Sequence, residues 1–250
     1  MKHFLKQTKK YDLNYTKKNY YCFFIFVFIL NIIVYFYLLN SYILSFIISI
    51  ITTLFYINFI FLNQKKIKYE TFINNQITIY ISQTSMLINF NNVYLSLKKI
   101  LPFLSGSFAV DLNKVIKNLE TKTLEESFVF FNEKYDNKLL TQFNKSLVLL
   151  DNNGDSKANE MLFSISKQYN SINILKDKFL IFKKEIKINY YIVLLLSLSI
   201  PFMLKITIPS IYNSFNNDVG KYILFLIFLI DLMITKKIEN YYSNQKVGGV

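Results

Sequence analysis

Asp151, Asn153 and Asp155 stand at alternate positions in the segment DNNGDSKANE, the spacing at which a calcium loop offers its first oxygen ligands. The pattern stops there. Position six is Ser156 where the sharp turn needs Gly, and position twelve is Leu162 where a bidentate Glu completes the shell. The segment reads instead as a link between two helices, with Gly154 at positive φ and Asp155 or Ser156 capping the second. Glu125 and Glu126 are adjacent, so on a helix they diverge by about 100° and are poorly placed to flank one bond as a catalytic pair. They suit the solvated first turn of a helix, where the dipole favours negative charge.

The rest of the chemical inventory is thin. The one cysteine, Cys22, has no internal disulfide partner, and the one histidine, His3, lies in a basic tail with no second imidazole to share a metal or a relay. All 29 basic side chains are Lys, so no arginine finger exists. None of the five glycines opens a phosphate loop, a dinucleotide fingerprint or a nucleophile elbow. Neither catalysis nor a cofactor or metal site is expected.

Two ionisable residues stand inside apolar stretches, Lys205 and Asp231, and such residues are functional suspects by position alone. Counted along helices from the flanking lysines, Lys205 lies roughly 25 Å from the inner membrane surface and Asp231 roughly 8 Å from it. At different depths they are not expected to pair. Snorkelling of Lys205 to the outer interface and packing of Asp231 near the inner lysines is the simpler expectation, with an ion or proton pathway as the alternative.

The elements that hold these residues follow from a composition that is 52% hydrophobic and 18% aromatic, with only 5 Gly and 3 Pro. Helices in a membrane are expected, not a turn-rich β fold. Residues 20–39 and 42–62 carry no charge, and a helix rising about 1.5 Å per residue crosses a hydrocarbon layer of about 30 Å in about 20 residues. Only Asn40 and Ser41 separate them, which predicts a helical hairpin over 20–62. A second pair is expected over 188–235, from residues 188–208 and the shorter 220–234, whose flanking Lys221, Lys236 and Lys237 would reach outward.

The formal charge of +13 is carried by three blocks. Residues 1–19 hold six Lys against Asp12, residues 63–189 hold eighteen Lys against twelve acids, and residues 236–250 hold three Lys against Glu239. Lysines spread over several helices without Arg do not make a nucleic-acid surface. They do favour one side of a membrane, and four spans place residues 1–19, 63–187 and 236–250 together on the cytoplasmic side.

The middle block has helical period throughout. Ile73, Ile77, Ile81 and Ile88 mark one apolar stripe; Val93, Leu97, Ile100 and Leu101 a second; Phe108, Leu112, Val115, Ile116 and Leu119 a third. Thr123 with Glu126 reads as a capping box for a helix that turns Leu124, Phe128 and Phe131 inward. Asp136 is expected to cap a helix bearing Leu139, Phe143, Leu147 and Leu150. Ala158, Leu162, Ile165, Tyr169 and Ile172 mark the last, which meets no breaker before the third apolar segment. The expected fold is therefore all-α: a multi-pass membrane protein with four transmembrane helices and a six-helix cytoplasmic bundle over 63–187.

This order of elements, with the segment from Leu119 to Tyr169, resembles the type II secretion F-domain family, in particular its single-copy Tad-type (TadB- and TadC-like) membrane platforms. Leu124, Glu125, Glu126 and Ser127 fall on the family's Leu-Glu-Glu-Ala-like run, and Gly154 falls in its Gly-rich turn. The family's preceding Gly is Thr121 or Lys122 here, its second turn Gly is Asp155, and its Ala is Ser127. The resemblance extends over residues 20–240.

It implies a non-enzymatic platform in the cell membrane that couples a cytoplasmic hexameric secretion ATPase to pilin-like subunits. A second copy or a second F-domain protein is expected, because this chain holds one copy of the domain and no internal repeat. Glu125, Glu126, Asp151, Gly154 and Asp155, at the two turns of the matched region, become the expected partner-binding residues. The competing class is a small transporter or channel subunit with Lys205, Asp231 and Pro201 lining a path. Few polar residues are available to line it.

Overall fold

In a computed structural model, described for residues 17–154, 156–215 and 217–244, the chain is helical, and no strand occurs among the described residues. The helices are α1 (Lys17–Leu39), α2 (Tyr42–Leu87), α3 (Val93–Ile100), α4 (Gly106–Asn118), α5 (Leu124–Tyr135), α6 (Lys138–Asn153), α7 (Ser156–Thr207), α8 (Pro209–Phe215) and α9 (Asp218–Asn244). A π-helical stretch, Tyr56–Phe61, lies within α2, and a 3₁₀ turn, Leu101–Phe103, follows α3 at Pro102. The chain divides into two compact units: residues 17–69 with 181–244, and Glu70–Leu180. Both α2 and α7 run through the boundary as unbroken helix.

Among the described residues, three helices are long and apolar enough to cross a membrane: Lys17–Leu39, Tyr42–Leu87 and Lys157–Thr207. Helix α9 is 27 residues long, but Lys221, Asp231 and Lys236 interrupt its apolar run, so it is not among the three.

In the first unit, α1 and α2 form the hairpin expected from the sequence. The two-residue link works because Asn40 takes φ 47°, a left-handed conformation that Asn tolerates better than most residues. Ser45, Ser49, Thr52 and Thr53 form a buried polar stripe along α2. Side chains this small let apolar helices approach closely, and two of the hydroxyls bond within the helix: Ser49 donates to the Ser45 carbonyl at 2.6 Å and Thr52 to the Ile48 carbonyl at 2.9 Å. Across the hairpin, Asn31 Nδ2 donates to Thr53 Oγ1 at 3.1 Å. Leu38, Leu39, Ile48 and Phe228 form a buried cluster that brings α9 against the C-terminal end of α1.

The second unit is built on the stripes read from the sequence. Ile73, Ile77, Ile81, Ile88, Val93, Leu97, Ile100, Phe108, Leu112, Val115 and Ile116 are all buried. So are Leu124, Phe128 and Phe131 on α5, Leu139, Phe143 and Leu147 on α6, and Ala158, Leu162, Ile165 and Tyr169 on α7. Only the terminal positions Leu101, Leu119, Leu150 and Ile172 are partly exposed.

Two local devices set the angles between these helices. Gly106 begins α4 at φ +63°, a conformation that favours glycine, and a Cβ there would stand 2.9 Å from the Phe72 ring, which would have to move aside. Gln76 on α2 accepts from the Ser105 amide at 2.8 Å and thereby caps α4 from another helix. The junction of α5 and α6 corrects one expectation. Asp136 does not cap α6; it closes α5 in the left-handed region at φ 39°, and Asn137 caps α6 by accepting from the Leu140 amide at 3.0 Å. A two-residue link needs its first residue to end one helix and its second, extended, to start the next.

Candidate interaction site and buried polar clusters

Of the five residues expected to contact a partner, Glu125, Glu126, Asp151 and Gly154 lie at the ends of α5 and α6 that are remote from their link. At the start of α5 the capping box is complete: Glu126 N donates to Thr123 Oγ1 at 3.3 Å, and Thr123 N donates to Glu126 Oε2 at 3.2 Å. Glu126 is therefore committed to the backbone while still exposed, and Glu125 is exposed beside it. At the end of α6, Gly154 takes φ +60° and its amide donates to the Leu150 carbonyl at 2.9 Å, with Asp151 exposed one turn earlier. Nothing stands within 4 Å of a Cβ at Gly154, so the turn asks for glycine through its backbone conformation alone. Asp155 lies outside the described residues, as does His3.

Lys205 and Asp231 do not meet. Lys205 Nζ donates to the Tyr37 carbonyl at the end of α1 and sits 3.8 Å above the centre of the Tyr37 ring. Tyr212 donates to the neighbouring Leu38 carbonyl. The last turn of α1, whose carbonyls have no helical partner, is thus closed by two side chains from α7 and α8. Asp231 accepts from Ser197 at 3.4 Å between α9 and α7. Two helical turns further along α9, the buried carboxylate of Glu239 accepts from Tyr191 at 2.7 Å and pairs with Lys187 at 2.5 Å. Tyr190 and Thr235 add a 3.0 Å bond between the same helices.

In the second unit the charged centre is Asp111, whose side chain is 2% exposed. Its Oδ1 accepts from Lys114 at 3.2 Å, and its Oδ2 accepts from Tyr135 at 2.9 Å and from Lys134. Burial alone would raise this carboxyl, but the hydrogen bonds from Lys134, Tyr135 and Lys114, with the Lys134 charge, outweigh it and hold it below the ordinary 3.8. A carboxyl depressed on folding contributes stability that is present above the ordinary value and lost as pH falls through the folded one. Thermal melting of the full chain in detergent, followed by circular dichroism, should therefore lose stability below about pH 4. Asp111→Asn should flatten that part of the curve and lower the plateau above it; an unchanged acid limb would show that Asp111 does not supply this dependence.

The sequence reading missed Asp111 and Glu239, and both left a trace. Asp111 falls between Phe108 and Leu112 on an apolar stripe, where an acid must find partners, and Glu239 follows Thr235 by one turn on the buried side of α9. Among the described residues no group of three or more His, Cys, Asp or Glu side chains could hold a metal ion. Comparison with protein-family models, with curated proteins and with solved structures finds no match to this chain.

Proposed function

We propose that the chain is a non-enzymatic membrane platform of the Tad-type secretion F-domain kind, coupling a cytoplasmic ATPase to the assembly of pilin-like subunits. Four spans, with α9 as the fourth, would put both termini and the Glu70–Leu180 unit in the cytoplasm. A second copy or a second F-domain protein would complete the platform. The observation that carries this reading is the placement of one helical unit between two apolar segments, its α5–α6 pair presenting Glu125, Glu126 and Asp151 at exposed positions. Exposed acids of this sort set partner choice and encounter more than fold stability. Lys205 and Asp231, the residues a transport path would use, are engaged in closing and packing helices.

The test is a variant that reverses the acids while sparing the cap: Glu125→Lys, Asp151→Lys and Glu126→Gln, since Gln at this position preserves the capping box. Membrane insertion and helix content should stay at the parent level while co-purification with the cell's hexameric secretion ATPase is lost. Cysteine labelling in a Cys22→Ser background should reach Ser41→Cys from outside intact cells and Asn92→Cys only after permeabilisation. External labelling at position 92 would overturn the topology. ATPase binding at the parent level would remove the acids from the docking face, and absence of any ATPase partner would favour a transporter subunit.

A further inference from the structure

The first unit gathers its charge at one end. There α1 begins and the apolar run of α2 stops after Leu62. Tyr20 on α1 shares a buried cluster with Ile57 and Leu62 on α2. Lys236 on α9 stands 5.3 Å above the Phe59 ring of α2, and Glu239 joins α9 to Tyr191 and Lys187 of α7. Segments of four helices are thereby held together within about two turns of depth, or about 11 Å. Lys17, Lys18, Lys68, Lys184, Lys236 and Lys237 are exposed on them. Lys65, 5.3 Å above the Phe61 ring, and Lys66 are half-buried. With Lys183 set aside as buried and Lys187 as paired with Glu239, eight lysines stand against two carboxylates, Glu70 and Glu185, a net charge of +6. The opposite end is nearly neutral: the Asn40-Ser41 link has no charge, and residues 205–221 hold Lys205 and Lys221 against Asp218.

We propose that this band of lysines is a binding surface for anionic phospholipids, each taken by its headgroup at a lysine and by its acyl chains along the helix below. Charge sets the class of ligand, an anion. The surface beside each cation decides that the anion belongs to a lipid. On α1, Lys18 is followed at helical spacing by the exposed Tyr21 and Ile25. On α7, Lys184 is followed by the exposed Ile188 and Ile192, and on α9, read backwards, Lys237 is followed by the exposed Met233 and Ile230. Residues three and four apart share a helix face, so on three helices one line runs from a cation directly onto apolar surface. Free phosphate or an acidic protein would use the cation and leave the line below it uncovered. The lysines are also distributed over four helices at similar depth, which suits a layer of headgroups, and their stems can level the remaining differences by snorkelling. This surface depends on the helices entering a bilayer and is independent of the platform reading.

The experiment places the full chain in phosphatidylcholine nanodiscs with a trace of spin-labelled phosphatidylglycerol or spin-labelled phosphatidylcholine. Electron paramagnetic resonance reads the fraction of each label slowed at the protein surface. About 1 kcal/mol per lysine gives about a fivefold preference for phosphatidylglycerol at the charged end, or about threefold once averaged with parity at the other end. The preference should fall towards parity in 1 M salt, where the screening length is about 3 Å. Lys18→Gln, Lys184→Gln and Lys237→Gln together should bring it below about twofold while the slowed fraction of phosphatidylcholine stays at the parent level. Arg at the same three positions should keep the preference. Lys98→Gln, Lys117→Gln and Lys145→Gln in the Glu70–Leu180 unit should leave it unchanged. Each single Gln variant of the first set should lower the ratio, which keeps the test open if the triple variant does not insert; no drop in any of the three overturns the proposal. An equal loss in the second set also overturns it. Parity of the two lipids in the parent at low salt overturns it as well and leaves the lysines to an acidic protein surface.

Discussion

Phe131→Ala should remove about 3–5 kcal/mol from the Glu70–Leu180 unit, the cost of emptying a fully buried aromatic site that cannot collapse. The ring is 0% exposed. Its centre lies 5.0 Å from Phe108 on α4, 6.0 Å from Tyr80 on α2, and 5.0 Å from Tyr135 and 6.3 Å from Phe128 on its own helix. Tyr80 in turn stands 5.7 Å from Phe143 on α6, so one connected set of rings joins α2, α4, α5 and α6. Edge-to-face and tilted pairs add to area burial, and a gap at the centre forfeits contacts with several helices at once. A domain of this size is stable by only about 5–15 kcal/mol. Hydrogen exchange of the full chain in nanodiscs should show residues 106–150 losing most of their protection while residues 42–55 keep theirs. Unchanged protection in α4, α5 and α6 would mean that the aromatic set is not what holds them.

Much of this unit was legible because one rule governs it. Apolar residues three and four apart must face a common interior, and Leu124, Phe128 and Phe131 or Ala158, Leu162, Ile165 and Tyr169 have no other way to leave water. The hairpin of α1 and α2 was legible for a related reason, since two charge-free runs separated by Asn40 and Ser41 leave the chain no room except to reverse. The capping box at Thr123 and the left-handed Gly154 were also readable, because each is a local contract between residues a few positions apart.

What escaped the sequence reading depends on distant partners. Whether Asp136 or Asn137 caps α6 turns on how α5 ends. The closing of α1 by Lys205 and Tyr212 joins residues more than 160 positions apart, and no periodicity encodes it. The π-helical stretch at Tyr56–Phe61 has no composition signal, and Lys236 lies 5.3 Å above the Phe59 ring there, a contact that only packing creates. Asp111 and Asn144 are intermediate cases: a polar residue on an apolar stripe announces that a partner exists, without saying which.

Asn144 gives the last and most discriminating expectation. It is fully buried on α6 between Leu140 and Leu147. Its Oδ1 accepts from the equally buried Tyr80 hydroxyl at 2.8 Å, and its Nδ2 donates to Asn132 Oδ1 at 2.7 Å. One side chain therefore ties α2, α5 and α6. Asn144→Leu preserves volume roughly and suits the helix, so cavity and propensity effects are small. The loss is of two hydrogen bonds, together with a tyrosine hydroxyl left buried without an acceptor, about 2–4 kcal/mol in total. Tyr80→Phe alone should cost about 1–2 kcal/mol, because it strands the Asn144 carbonyl oxygen. The double variant separates this account from simple misfit. Replacing both polar partners by apolar groups of similar shape removes the stranded atoms, so Tyr80→Phe with Asn144→Leu should be more stable than Asn144→Leu by about 1–2 kcal/mol. Chemical denaturation of the full chain in detergent, read by circular dichroism, measures all four corners of the cycle. Additive losses would show that the Tyr80–Asn144 bond carries no coupling, and that α2 and α6 are held together by the surrounding rings alone.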